Sequence, residues 1–203
     1  MDLVVVIIKE IIESLLRNFR LLFNKYSFPE KRELEKNGLY IKENFLSKEQ
    51  CNQYIKRIDE LLDSDNNVWQ DELGSDKRLY FIETLDEMFN KFYINPEIRN
   101  VLAAYTGTKN PKGMLLGSRI DFIDGNLGSG GGWHRDSPVT HQFKAICYLN
   151  NVSESNGPFQ YIKESHCKSK VLLSYLKNVF RAGQYRFIDK ELSNNSVTMN
   201  TEV

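Results

Sequence analysis

The residues best suited to chemistry follow a glycine-rich segment, GNLGSGGGWHRDS at 125–137. It contains five of the 12 glycines of the chain and ends in Trp133-His134-Arg135-Asp136 and a serine. Side chains two positions apart on an extended chain point to the same side, so the His134 imidazole and the Asp136 carboxylate can converge on one ion. One nitrogen and one carboxylate oxygen suit ferrous iron, zinc or manganese. The simpler alternative is a hydrogen-bonded His–Asp pair at the end of a strand.

The elements that must position this motif change character along the chain. Helix signals dominate the first half, where Ser47 and Gln50 form a capping box and Asn95-Pro96 begins a further helix. Short β-rich runs dominate from residue 113 onward. We predict helices at 47–62, 85–94, 95–105 and 170–180, and strands at 38–45, 114–123, 143–152, 158–164 and 184–189. Helices therefore come first and an antiparallel sheet second.

The N-terminus predicts a separate amphipathic helix within residues 1–30. Apolar residues recur at helical spacing from Val4 to Phe23, with Lys9, Glu10 and Glu13 on the opposite face. The apolar run is too short for a membrane span, and Asp2 is the wrong flank for a signal peptide. We expect this helix to pack on its own domain or on a partner. A membrane surface is disfavoured because the polar face mixes acids with bases.

Composition narrows the class of protein. The 203 residues with 41% hydrophobic content suit one ordinary domain with an appended helical segment. Equal numbers of basic and acidic residues, 27 each, argue against a nucleic-acid partner. The cysteines are three, widely spaced and without a C-x-x-C pair, which is typical of reduced thiols in an intracellular, cytoplasmic protein.

The order of motifs after the glycine segment resembles the phytanoyl-CoA dioxygenase family of iron(II)- and 2-oxoglutarate-dependent oxygenases. The matching residues are Trp133-His134-Arg135-Asp136, then Asn156-Gly157-Pro158, then Ser165-His166, with Lys168 displaced by one position by Cys167. The segment GLYIKENFLSKEQCNQYIKRIDELL is similar to the family's opening strand and helix. The resemblance covers roughly residues 35–170.

This resemblance implies an α+β, mainly β fold: a double-stranded β-helix (jelly-roll, cupin-like) core at 31–203, incomplete at its C-terminus, with N-terminal helices packed on one sheet. It implies Fe(II) as cofactor, held by His134 and Asp136, and 2-oxoglutarate as co-substrate. O₂ would be consumed, succinate and CO₂ formed, and a small organic molecule hydroxylated. An aspartate at position 136 favours hydroxylation over halogenation, since related halogenating enzymes have a small residue there.

The family pattern also requires a distal histidine and a following arginine, and these are not found. His141 lies five residues after Asp136 and is a poor third ligand. His166 is disfavoured as well, because the 29 residues between it and Asp136 are too few to reach the opposite sheet. Arg181 and Arg186 follow no later histidine. We therefore expect a fragment, a truncated gene product or a degenerate member that holds iron weakly.

Two further residues are candidates for binding 2-oxoglutarate. Arg119 precedes the glycine segment and Lys144 follows Asp136, so each faces either the co-substrate pocket or solvent. Trp133 is expected to pack beside the site. The alternative to an oxygenase is a catalytically inactive relic or interaction module of the same fold, with the N-terminal helix docked on a partner.

Overall fold

The structure is a computed structural model, and it describes residues 3–24, 28–65, 67–108, 112–126, 131–136, 142–176, 181 and 184–193. The three strands lie in the middle of this part of the chain, with helices before, between and after them, so the expected order of helices first and sheet second is wrong. The helices are α1 (Leu3–Leu22), α2 (Lys31–Asn37), α3 (Lys48–Ser64), α4 (Glu87–Tyr93), α5 (Pro96–Thr106), α6 (Lys168–Leu176) and α7 (Asp189–Ser193). The strands are β1 (Trp69–Gln70), β2 (Asp76–Tyr80) and β3 (Leu116–Ile120), and 3₁₀ turns lie at Ile82–Thr84 and Glu154–Asn156.

The three strands form one antiparallel sheet in the order β1-β2-β3. In the longer ladder Arg78 lies opposite Ser118 and Leu79 opposite Gly117. Helix α3 packs on this sheet through one hydrophobic cluster, whose buried members come from α3, β2, the first 3₁₀ turn and α4: Ile58, Leu61, Leu62, Leu79, Ile82 and Phe89. Gly117 leaves room for this packing, because a Cβ there would lie 2.6 Å from the Ile82 Cδ1 atom.

The helix predictions that rest on capping signals are confirmed. The Ser47 side chain accepts a hydrogen bond from the Gln50 backbone, the Gln50 side chain returns one, and α3 begins at the next residue after Ser47. Asn95 caps α5 by accepting from the backbone N–H groups of Glu97 and Ile98. These bonds satisfy amide groups that a helix start otherwise leaves without a partner.

A second hydrophobic cluster joins the N-terminal helix to the end of the described chain. Its buried members come from α1, α6 and α7: Val6, Val171, Tyr175 and Leu192. Trp133 packs against this cluster, as expected for a residue beside the motif. The predicted helix at the N-terminus is confirmed as α1, and it does contact its own domain. Buried Glu10 forms an ion pair with Lys168 at the beginning of α6.

Several strand predictions are wrong. Residues 38–45 are irregular and include a turn at 43–44, because Gly38 ends α2 in the left-handed conformation and Asn44 also has a positive φ of 54°. Residues 143–152 and 158–164 contain no strand, and 184–189 contributes a single bridge at Arg186 before α7 begins. A β-prone run becomes a strand only where a neighbouring strand completes its ladder.

The fold class is a mixture of helices and sheet, as expected, but the described residues are not mainly β, because their helices are more extensive than their three short strands. The jelly roll implied by the resemblance is not confirmed by the described residues, because their regular sheet has three strands whereas a jelly roll pairs eight strands in two sheets.

Candidate functional site

The His-x-Asp motif lies on a short length of paired chain. The Arg135 N–H donates to the Tyr185 carbonyl at 2.7 Å, and the Phe187 N–H donates to the Trp133 carbonyl at 3.0 Å. These two bonds enclose an antiparallel bridge between His134 and Arg186. Extended pairing of this kind places alternate side chains on opposite faces, so His134 and Asp136 share one face.

The His134 ring is oriented by the glycine segment itself. Its Nδ1 atom lies 2.8 Å from the Gly132 carbonyl oxygen. Because a carbonyl can only accept, Nδ1 carries the proton and Nε2 presents its lone pair. That Nε2 atom lies 3.6 Å from the Asp136 Oδ1 atom. Both ring and carboxylate are partly exposed, with 29% and 38% of the side-chain surface accessible.

Lys144 meets the other oxygen of the same carboxylate. Its Nζ atom lies 2.7 Å from Asp136 Oδ2, and the lysine side chain is more than half exposed. Asp136 is thus flanked by an imidazole nitrogen on one oxygen and an ammonium group on the other. Lys144 was a candidate for binding the co-substrate, and the structure places it beside the His134–Asp136 pair.

Arg186 is a site residue that sequence reasoning set aside. Residues directly opposite in an antiparallel pair project on the same face, so Arg186 projects beside His134. Its Nη1 atom donates to the Gly131 carbonyl at 3.2 Å, which connects the arginine to the glycine segment. The two residues are 52 positions apart in the chain, and no local pattern predicts their pairing.

Arg119 does not lie with this group. Its Nη1 atom is 3.0 Å from Asp59 Oδ1 on α3, and its Nε atom is 3.5 Å from Asp121 Oδ2. On β3 it is paired with Lys77. Its role in binding a co-substrate stays a prediction. The structure shows an ion pair from Arg119 to α3 and another to the residue that follows β3.

His166 occupies a different environment at the end of α2. Its Nε2 atom lies 2.9 Å from the Glu35 carbonyl oxygen, so Nε2 carries the proton. The Tyr161 hydroxyl, whose pKa is raised by burial, lies 3.4 Å from Nδ1 and donates to it. Both ring nitrogens are therefore occupied: Nε2 holds the 164–167 turn against α2, and Nδ1 accepts from Tyr161. His141 lies outside the described residues.

The donor set fits part of a metal centre. An imidazole nitrogen and a carboxylate oxygen on one face are two of the three protein ligands in the facial arrangement that binds ferrous iron. The Gly132 carbonyl supplies the outer hydrogen bond that such a histidine ordinarily makes. Within the part of the chain that the structure describes, no group of three or more His, Cys, Asp or Glu side chains is placed to hold a metal ion.

Comparison with known families gives a match that covers most of the chain. The sequence profile of the family described as Phytanoyl-CoA dioxygenase (PhyH) matches residues 34–192, which is more than half of the chain. The chain belongs to the phytanoyl-CoA dioxygenase family. The search of curated proteins gives no match, and neither does the search of solved structures.

Membership of the phytanoyl-CoA dioxygenase family suggests an oxygenase activity and does not identify a substrate. The matched segment begins after α1, so the N-terminal helix lies outside the family region. The segment includes the whole His134–Asp136 environment, with Lys144 and Arg186.

Proposed function

We propose that the chain is an iron(II)- and 2-oxoglutarate-dependent dioxygenase, in which His134 and Asp136 are two of the metal ligands and a small organic molecule is hydroxylated. The observation that carries this proposal is the geometry of the pair. His134 Nε2 and Asp136 Oδ1 lie 3.6 Å apart on one face, and the Gly132 carbonyl fixes the ring in the tautomer that leaves Nε2 available. A merely structural pair would more commonly have the imidazole donate to the carboxylate.

The cations around the pair support a dicarboxylate co-substrate. Lys144 is within ion-pair distance of Asp136, and Arg186 lies opposite His134 in the bridge. A planar guanidinium suits a carboxylate through two parallel hydrogen bonds, and an ammonium group adds a point charge. When bound, ferrous iron with 2-oxoglutarate and O₂ would supply the oxidising power for hydroxylation, with succinate and CO₂ as the products. The chain's own residues would orient the co-substrate and hold the ligand tautomer.

A second candidate is a non-catalytic module of the same fold. It is favoured by the absence of a third ligand among the described residues and by the direct Lys144–Asp136 ion pair, which already neutralises the carboxylate. In this case the Lys144–Asp136 ion pair would have a structural role, and no metal would replace it. The two candidates differ in whether 2-oxoglutarate is consumed.

Succinate formation distinguishes the two candidates. The purified chain is incubated in air with Fe(II), ascorbate and 2-oxoglutarate labelled at C1. The labelled CO₂ that is released and the unlabelled succinate that is formed are measured with and without a chelator. We expect turnover that depends on iron and is abolished in Asp136→Ala. His166→Gln is the matched control, because it changes a histidine outside the site and retains a hydrogen-bonding side chain. No turnover in the wild type would favour the non-catalytic module. Turnover that survives in Asp136→Ala would show that Asp136 is not a metal ligand.

A further inference from the structure

Helix α1 presents a continuous apolar face to the outside. This face consists of the exposed large apolar side chains of α1 and of Phe23, the residue that follows the helix. They are Val4, Val5, Ile8, Ile11, Ile12, Leu15, Leu16, Phe19, Leu22 and Phe23. At 3.6 residues per turn they cover an arc of about 140° with no polar residue inside it. Lys9 and Asn18 stand at the two edges of the arc. We call these ten side chains the outer face of α1.

The polar side of the helix is turned toward the protein. Glu10 is 2% exposed and pairs with Lys168. The Arg17 Nε atom donates to the Tyr105 carbonyl at 2.9 Å, and its guanidinium lies over the Tyr105 ring. An amphipathic helix on a globular protein ordinarily buries its apolar stripe. Here the polar contacts, together with buried Val6, fix α1 with most of its apolar side chains facing outward.

The outer face is large for a surface left in water. Ten side chains that are each about half exposed amount to on the order of 800 Å² of apolar area, above the largest patch of a typical monomer at roughly 300–600 Å². The patch is also long, since a helix of 20 residues extends about 30 Å. Such a surface marks an interaction site.

The width and charge of the outer face favour a lipid surface as its occupant. A partner helix covers a narrow seam, whereas an arc of about 140° needs a broad apolar surface. An antiparallel second copy would bring the edge that carries Lys9 and Arg20 against itself, because a two-fold interface repeats the same patch. The mixed charge that disfavoured a membrane surface is reduced in the structure, because Glu10 is buried and paired and Glu13 is half-buried. Lys9, exposed at the edge, is suited to lipid headgroups.

We propose that α1 docks the protein on a bilayer surface, with its outer face in the interface and its axis parallel to the membrane. The helix lies on the membrane in this arrangement. Among the described residues, no helix is both long enough and apolar enough to span a bilayer. The proposal rests on α1 alone and is independent of the chemistry at His134 and Asp136.

Vesicle flotation of the full chain tests the proposal. The protein is mixed with vesicles of phosphatidylcholine alone or of phosphatidylcholine and phosphatidylserine in equal parts, and the bound fraction is measured. We expect binding to both, with tighter binding to the anionic vesicles. The double variant Ile11→Ser/Leu15→Ser should weaken the affinity by about 30-fold or more, which is about 2 kcal/mol at 1.4 kcal/mol per tenfold.

A matched variant distinguishes binding through the outer face from nonspecific hydrophobic adsorption. Leu73 is 54% exposed in the β1–β2 turn and Leu15 is 63% exposed on α1, so Leu73→Ser removes a comparable leucine elsewhere. We expect Leu73→Ser to bind vesicles as the wild type does. Phe19→Trp replaces one aromatic ring by another on the outer face. The tryptophan emission that this variant adds to the wild-type signal should shift to shorter wavelength when vesicles are present.

Three results would overturn the proposal. One is equal vesicle binding by the wild type and the double variant. Another is an unshifted Phe19→Trp emission at saturating lipid. The third is a dimer that is stable without lipid and is dissociated by Ile11→Ser/Leu15→Ser, since the outer face would then be an interface between copies of the chain.

Discussion

Replacing Gly132 by alanine should weaken metal binding without touching either proposed ligand. Gly132 has a φ of 84°, in the left-handed region that glycine tolerates and residues with a Cβ avoid. Its carbonyl is the acceptor for His134 Nδ1 at 2.8 Å. An L-residue in this conformation costs about 1–2 kcal/mol, so the chain between Gly131 and His134 will relax and the carbonyl will leave the ring.

The size of the effect follows from that cost. If the metal binds only the conformation in which Gly132 accepts from His134, a penalty of about 1–2 kcal/mol lowers the apparent affinity by about 5- to 30-fold. The loss of an outer hydrogen bond to a metal-bound histidine lowers affinity by about 10- to 100-fold, so the two arguments overlap. Both predict a decrease of about tenfold for Gly132→Ala.

Anaerobic calorimetric titration of Fe(II) into the wild type and Gly132→Ala measures the change. Nitrogen-15 spectra of the imidazoles report in parallel whether the His134 proton stays on Nδ1. The matched control is Gly74→Ala, since Gly74 has a φ of 70° and open space around its Cβ position, far along the chain from the motif. Gly74→Ala should cost similar stability and leave metal affinity unchanged. Equal metal affinity in Gly132→Ala and Gly74→Ala would refute the role given to the Gly132 carbonyl.

Three further changes test the site and the fold. Lys144→Gln removes the ammonium group that lies 2.7 Å from Asp136, so Fe(II) should bind a few-fold more tightly and 2-oxoglutarate more weakly. Calorimetric titration with each ligand measures both affinities. Unchanged affinities would exclude Lys144 from the site. Gly117→Ala places a methyl group 2.6 Å from the fully buried Ile82 and should lower the free energy of unfolding in urea by about 1–3 kcal/mol. Adding Ile82→Val should recover part of that loss, and strict additivity would contradict the contact. The pKa of Asp86 is lowered by the Met88 N–H and by Arg57, so its stabilising effect holds at neutral pH and fades as the pH falls below about 4. The stability difference between wild type and Asp86→Asn, followed by urea unfolding against pH, should shrink in that range, and a constant difference would show that the charge is not involved.

Local signals in the sequence predicted the helices that begin with a side-chain cap. The Ser47–Gln50 box and the Asn95 cap involve residues within three positions of each other, so their hydrogen bonds can be inferred from spacing alone. The seven-residue α2 was missed because it buries one leucine, Leu34, and shows little periodicity. Strand β2 was missed because its residues, DKRLY, have no strand pattern of their own and pair with the very short β1 on one side and with the distant β3 on the other.

In the candidate site, too, the residues that local spacing reveals were predicted and those that depend on distant pairing were not. His134 and Asp136 were recognised because their spacing is local, and the bridge supports the extended pairing that the spacing requires. Arg186 and the Gly132 carbonyl were missed as parts of the site, because the first depends on a pairing across 52 positions and the second is a backbone atom. For α1 the sequence predicted an amphipathic helix, while its orientation depends on distant partners such as Lys168 and Tyr105.

Paramagnetic broadening of the histidine ring signals tests most directly whether His134 and Asp136 hold a divalent metal, and it works even where binding is weak. The chain has three histidines, so each ring can be assigned by a single substitution. On titration with Mn(II), the His134 signals should broaden first, and Asp136→Asn should reduce that broadening, while the His166 ring stays sharp because both of its nitrogens are hydrogen-bonded. Sharp His134 signals at high Mn(II), or earlier broadening of His166, would contradict the metal site assigned to this pair.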